Sequence, residues 1–155
     1  MQKTTLSLAV VALTASSCGL FDDGSYSIEF RATGDVLSGE VWAVRPNPYS
    51  AWEYAILDDH VRIPQDGRLP WGVTYKLDEG DEVWMEGRLF EGAKLTVELY
   101  EDGVFKARQT ITCKPLSSTV RSEHDPAALI RGFVGGGYYP QSPRLDWPPN
   151  CIRNE

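Results

Sequence analysis

Apolar and polar residues alternate with a period of two through much of the chain between Ser25 and Cys113, and no other feature limits its fold so strongly. Residues 25–32 (SYSIEFRA) set Tyr26, Ile28 and Phe30 on one face and Ser27, Glu29 and Arg31 on the other. Residues 71–77 (WGVTYKL) align Trp71, Val73, Tyr75 and Leu77. In residues 81–90 (DEVWMEGRLF), Val83, Met85 and Leu89 face one way, with Glu82, Trp84, Glu86 and Arg88 opposite. Leu95, Val97 and Leu99 alternate with Lys94, Thr96 and Glu98, and Phe105, Ala107, Ile111 and Cys113 share one face of the next run. A strand buried on one side needs this pattern, whereas a helix of 3.6 residues per turn would scatter the same side chains around its axis.

The punctuation agrees. Asp102-Gly103 sits between two alternating runs as a tight-hairpin signal, and Asp66-Gly67, Glu79-Gly80 and Glu91-Gly92 mark further turns. Residues 39–45 and 51–57 read as two more strands. Short strands at this spacing predict an all-β chain, an antiparallel β-sandwich or barrel. Residues 125–133 (DPAALIRGF) are the exception: Asp125 as a cap and Pro126 in the first turn predict a short helix. Beyond Phe133, Gly, Pro and polar residues predict an irregular tail, with Gly135–Gly137 as a hinge before it.

The first residues have the three parts of a secretory signal: Lys3, an apolar run from Leu6 to Leu13, then Ala15, Ser16 and Ser17 before Cys18. The run is too short to cross a bilayer, which takes about 20 apolar residues. Two kinds of processing fit. Residues 15–18 resemble a bacterial lipobox, in which Cys18 is lipidated, but depart from it in having Ala15 where leucine is usual. Ala15 and Ser17 also fit the small-x-small rule of ordinary secretory cleavage. Lipidation at Cys18 is the expectation, because the chain has three cysteines and a lipid on Cys18 leaves Cys113 and Cys151 as an even pair. In an oxidising compartment that pair is expected to form a disulfide; two free thiols are the alternative. The expected organisation is a signal peptide over 1–17, a lipid-anchored tether over 18–25, a β-sandwich over 26–124, and a short helix or turn with a Pro/Gly-rich tail over 125–155.

Charge narrows the partners. A formal net charge of -7 with no basic stripe argues against nucleic acid. The same charge disfavours adsorption to anionic lipid, so membrane attachment has to come from the N-terminal lipid. Of the two histidines, His60 follows Asp58-Asp59 and His124 precedes Asp125, but sequence neighbours on loops seldom form a catalytic pair. No Walker loop, G-x-S-x-G, H-E-x-x-H or C-x-x-C occurs. The acidic run 78–82 lacks the spacing of a calcium loop. No catalytic residue, metal or cofactor is therefore expected. Trp84 falls on the polar face of its strand, and together with Trp42 it is a candidate contact, for a protein partner in the envelope or for a sugar ring.

Residues 69–110 carry Leu69-Pro70-Trp71, a strand, the Gly80-Asp81 turn, an alternating strand and a closing hairpin through Asp102-Gly103. In this order they resemble small exported bacterial domains, among them the periplasmic domain of the mycobacterial MmpS family and related Ig-like lipoproteins. The resemblance covers roughly Tyr26 to Val120 and implies an Ig-like β-sandwich of about seven strands. It also implies an accessory role beside large lipid or siderophore exporters. The chain departs from that group in its cleavable-looking signal with Cys18 and in its tail with Cys151. No catalytic residue is carried over. The sequence thus predicts an exported, membrane-anchored lipoprotein of the cell envelope with a non-enzymatic binding or scaffolding role, the alternative being a carbohydrate-binding module.

Overall fold

The structure, a computed structural model, describes residues 24–46, 56–114, 126–141 and 151–154. These residues form β1 (Ser25–Pro46), β2 (Ile56–Ile63), β3 (Trp71–Asp78), β4 (Glu82–Glu101), β5 (Val104–Cys113), β6 (Ala127–Phe133), β7 (Tyr138–Gln141) and β8 (Cys151–Asn154). All pairings are antiparallel, and there is no helix among the described residues.

Two strands are far longer than the rest. β1 and β4 have 22 and 20 residues and pair along nearly their whole length, from Ile28↔Glu101 to Val44↔Trp84. The free edge of β1 takes β3 along its first half and β2 along its second. The free edge of β4 takes β6 along its first half and β5 along its second. β8 then extends β5, and β7 extends β6. The result is one sheet folded over into two layers that share β1 and β4: β3-β1-β4-β5-β8 and β2-β1-β4-β6-β7. Between the layers lies a single core. Ile28, Phe30, Leu95, Val97 and Leu99 enter it from the first layer, and Val41, Ala43, Val83, Met85 and Ile130 from the second. Burying a side chain the size of Phe30 or Met85 contributes about 1.5–3 kcal/mol.

The corner lies where the β1–β4 register slips, between Asp35 and Gly39. Gly34 (φ +147°) and Gly92 (φ +139°) face this bend from opposite strands, in backbone conformations that L side chains rarely adopt. A Cβ on Gly34 would collide with the Lys94 carbonyl oxygen, and one on Gly92 with that of Asp35. The two strands can therefore meet at the corner only without side chains there.

Alternation held, but its interruptions mean something different from what the sequence implied. Glu91-Gly92 is a corner inside β4, not a turn between strands, and residues 26–34 and 39–45 join across the same corner into β1. Residues 127–133, expected as helix, are β6: Ala128, Ile130 and Gly132 fall on the inward face while β4 offers an open edge, so sheet pairing overrides the capping signal. Asp125 lies outside the described residues. The tail is partly regular, since β7 and β8 fall inside it, and Gly135–Gly137 form the β6–β7 turn instead of a hinge. Phe105 is 48% exposed instead of joining Ala107 in the core. Lys106 is an extra residue there, because Leu99 pairs with Ala107 and Tyr100 with Phe105, and the bulge reverses the facing of what precedes it.

Cys113 and Cys151 stand opposite each other in the β5–β8 register and are disulfide-bonded across a sequence separation of 38. A bridge closing a loop of this length is worth about 4 kcal/mol in the chain-entropy account. Under non-reducing conditions the folded chain should therefore have an intact mass two hydrogens below its fully reduced mass; equal masses would contradict the bridge.

The corner has its own test. Gly34→Ala meets both strain and collision and should cost on the order of 3 kcal/mol in chemical denaturation. Gly80→Ala carries positive φ without any neighbour within reach, and should cost about 1 kcal/mol. Equal losses for the two variants would contradict the proposed close approach.

Candidate functional site

Strand alternation brings both candidate tryptophans to the outward face of the second layer. Trp42 lies between the buried Val41 and Ala43, and Trp84 between the buried Val83 and Met85. In register, one row across β2, β1, β4 and β6 reads His60–Trp42–Glu86–Leu129. The next reads Asp58–Val44–Trp84–Arg131 and is extended by Tyr139 on β7. Trp42 and Trp84 are thus diagonal neighbours on adjacent strands.

The flanks of Trp42 are occupied. The His60 ring stacks on the indole with centroids 4.8 Å apart, and the Arg88 guanidinium lies 4.9 Å from its centre, reaching in from the opposite strand. Arg131 lies 5.9 Å from the centre of Trp84. The cations are themselves paired, Arg88 with Glu86 at 2.7 Å and Arg131 with Glu82. Such a face carries rings and matched charges. Two members of it were missed in the sequence. Phe133 is 51% exposed and Tyr139 is 63% exposed, and both had been assigned to a helix end and a tail. Only knowing that 127–141 is a hairpin reveals that they share the outward face with Trp84, Phe133 on the adjacent strand and Tyr139 one strand further.

Alternation along β2 sends His60 outward to Trp42 and Asp59 inward, where its carboxylate accepts a hydrogen bond from the Tyr75 hydroxyl on β3. Burial, reinforced by that carboxylate, pushes the Tyr75 hydroxyl well above the ordinary tyrosine range, so it stays a neutral donor. Arg45 stacks over the same ring at 4.5 Å. This contact joins β2 of one layer to β3 of the other. On the opposite edge the fully buried Gln109 does the same, its amide oxygen accepting from the Leu129 N–H at 2.6 Å. In the acidic run 78–82, the Asp81 carboxylate accepts from the Asp78 N–H at 3.1 Å, closing a turn. Among the described residues no group of three or more His, Cys, Asp or Glu is placed to hold a metal ion. His124 and Cys18 lie outside the described residues.

One buried charge ties the hairpin that carries Phe133 and Tyr139 to the rest. The Glu101 carboxylate accepts from the Tyr138 hydroxyl at 2.7 Å, the Gly135 N–H at 2.8 Å and the Lys106 ammonium at 2.8 Å. Burial pushes its pKa upward, but the bonds from Lys106, Tyr138 and Gly135 outweigh this and hold it below the ordinary glutamate range. The bulge at Lys106 is what aims the ammonium at this carboxylate.

Comparison with protein-family models, with curated proteins and with solved structures returned no match to this chain.

Because the folded-state pKa of Glu101 is lowered, its contribution is complete above the unfolded glutamate value and is lost as pH falls through the folded one. Glu101→Gln should therefore be about 1–3 kcal/mol less stable than wild type at pH 7, with the gap closing as the pH falls below about 4. A gap of the same size at pH 7 and pH 3 would contradict this role.

Proposed function

We propose that the chain is an exported, lipid-anchored protein of the cell envelope whose sandwich is a non-enzymatic binding and scaffolding domain, accessory to a membrane transport assembly. The observation that carries the reading is the cysteine pairing. Cys113 and Cys151 take each other, which leaves Cys18, directly after the signal-like run, as the third cysteine outside that pair. A thiol left over in an exported chain calls for a separate use, and acylation at a lipobox supplies one.

The charge distribution supports the same reading. β1 begins at Ser25, opposite Asp78, and the Asp102 N–H donates to the Ser27 carbonyl at 2.8 Å. The tethered end of the sandwich is thus ringed by Asp78, Glu79, Asp81 and Asp102. An acidic end is repelled by anionic lipid, so attachment would have to be covalent, and the tether over 18–25 reaches at most about 25 Å. The outward aromatic face of the second layer would stand beside the membrane, free for an envelope partner. The MmpS resemblance of residues 69–110 is what favours a transport assembly as its setting. The alternative, a carbohydrate-binding module, is favoured by the exposed rings on that same face.

Metabolic labelling with an alkyne fatty acid should mark the wild-type chain, and Cys18→Ser should lose the label and leave the membrane fraction. Label retained by Cys18→Ser, or a wild-type chain that takes up none, would overturn the anchored reading.

A further inference from the structure

We propose that the corner of the second layer formed by Tyr139, Phe133, Arg131 and Glu82 is a stacking site for a neutral saccharide; this rests on the binding-domain reading above. The β6–β7 turn builds it. The Gly136 N–H donates to the Phe133 carbonyl at 2.9 Å, and the Phe133 N–H to the Gly137 carbonyl at 3.3 Å, so three glycines, which bring no side chains of their own, cross the hairpin end. The phenol end of Tyr139 lies across Gly137, where a Cβ would collide with its hydroxyl, Cζ and Cε2. A Cβ on Gly136 would come within 3.2 Å of the Phe133 carbonyl oxygen. Gly137 is therefore the bed on which Tyr139 rests along one side while remaining 63% exposed.

Polar groups flank the rings in register. Arg131 stands opposite Tyr139, and its partner Glu82 stands opposite Phe133. An exposed ring offers an apolar surface to the C–H face of a pyranose. Sugar hydroxyls both donate and accept, while a guanidinium only donates and a carboxylate only accepts. The Arg131–Glu82 pair thus matches a set of hydroxyls and adds no net charge. An anionic ligand would meet Glu82 and a chain of net charge -7. A proline-rich peptide would stack on the rings but brings carbonyl acceptors and no N–H, so it offers the Glu82 carboxylate no donor beyond the Arg131 it already has. Trp42 does not serve as the platform, since His60 and Arg88 occupy its flanks.

The test is calorimetric titration of the full chain, purified from membranes in neutral detergent, with cellohexaose, chitohexaose, xylohexaose, mannohexaose and decaproline. At least one hexasaccharide should bind. Tyr139→Ala should weaken that binding at least tenfold while leaving thermal unfolding unchanged, as expected for an exposed ring. Gly137→Ala, which displaces the ring without removing it, should weaken binding as well. Should Tyr139→Ala unfold the hairpin, Tyr139→Leu keeps the apolar bulk without the ring and should show the same loss. No binding of any hexasaccharide, equal affinity in the Tyr139 variants, or saturable binding of decaproline would each overturn the site. Loss of the site with the fatty-acid label on Cys18 intact would leave the anchored reading standing.

Discussion

The pairing of β1 with β4 is the constraint on which the rest of the structure depends. Each strand runs through both layers, so neither layer has a pair of central strands of its own. The corner requires Gly34 and Gly92, where two backbones approach within what a Cβ would fill. Everything else is added to the outer edges of this pair: β3 and β2 on one side, β5 and β6 on the other. Side chains then lock the open seams. Tyr75 and Asp59 join β3 to β2, Gln109 joins β5 to β6, and Glu101 joins the end of β4 to the β6–β7 turn. In each case a polar group crosses between layers where no strand pairing is available, which meets the need to satisfy buried donors and acceptors.

That arrangement decides what is left for function. Each strand's inward face is consumed by the core, so only the outward faces stay open to other molecules. The first layer's outward face carries ion pairs around two rings, Tyr100 and the half-exposed Phe105, over which Arg31 and Arg108 lie. Arg31 is bonded to Glu29, which holds that carboxyl below its ordinary range, and Arg108 is bonded to Glu98. The second layer carries Trp42, Trp84, Phe133 and Tyr139 among its ion pairs, and the hairpin bearing the last two is fixed by the buried Glu101. A face built this way is held in place by supports that lie in the core.

The strands were legible in the sequence where one face is buried against solvent on the other. The inward sets Tyr26–Ile28–Phe30, Val83–Met85–Leu89 and Leu95–Val97–Leu99 all stand as the alternation implied. Continuity was not legible. A glycine that ends a strand and a glycine that bends one look alike in sequence, and only the partner strand distinguishes Glu91-Gly92 from Asp102-Gly103. β6 was hidden for a different reason: residues 127–133 satisfy local capping preferences, and the open edge of β4 that overrides them lies some forty residues away in sequence. Tyr139 and Phe133 were lost with it. The Cys113–Cys151 pairing, by contrast, followed from counting cysteines, because it depends on number and not on shape.

If β1 and β4 make one unit of both layers, the layers cannot open separately. Native-state hydrogen exchange reads this directly. The account predicts that amides of Phe30 and Val97 in the first layer and of Val41 and Met85 in the second share a single opening free energy, equal to that of global unfolding. Exchange of Val41 and Met85 through a lower-energy opening that leaves Phe30 and Val97 protected would contradict it.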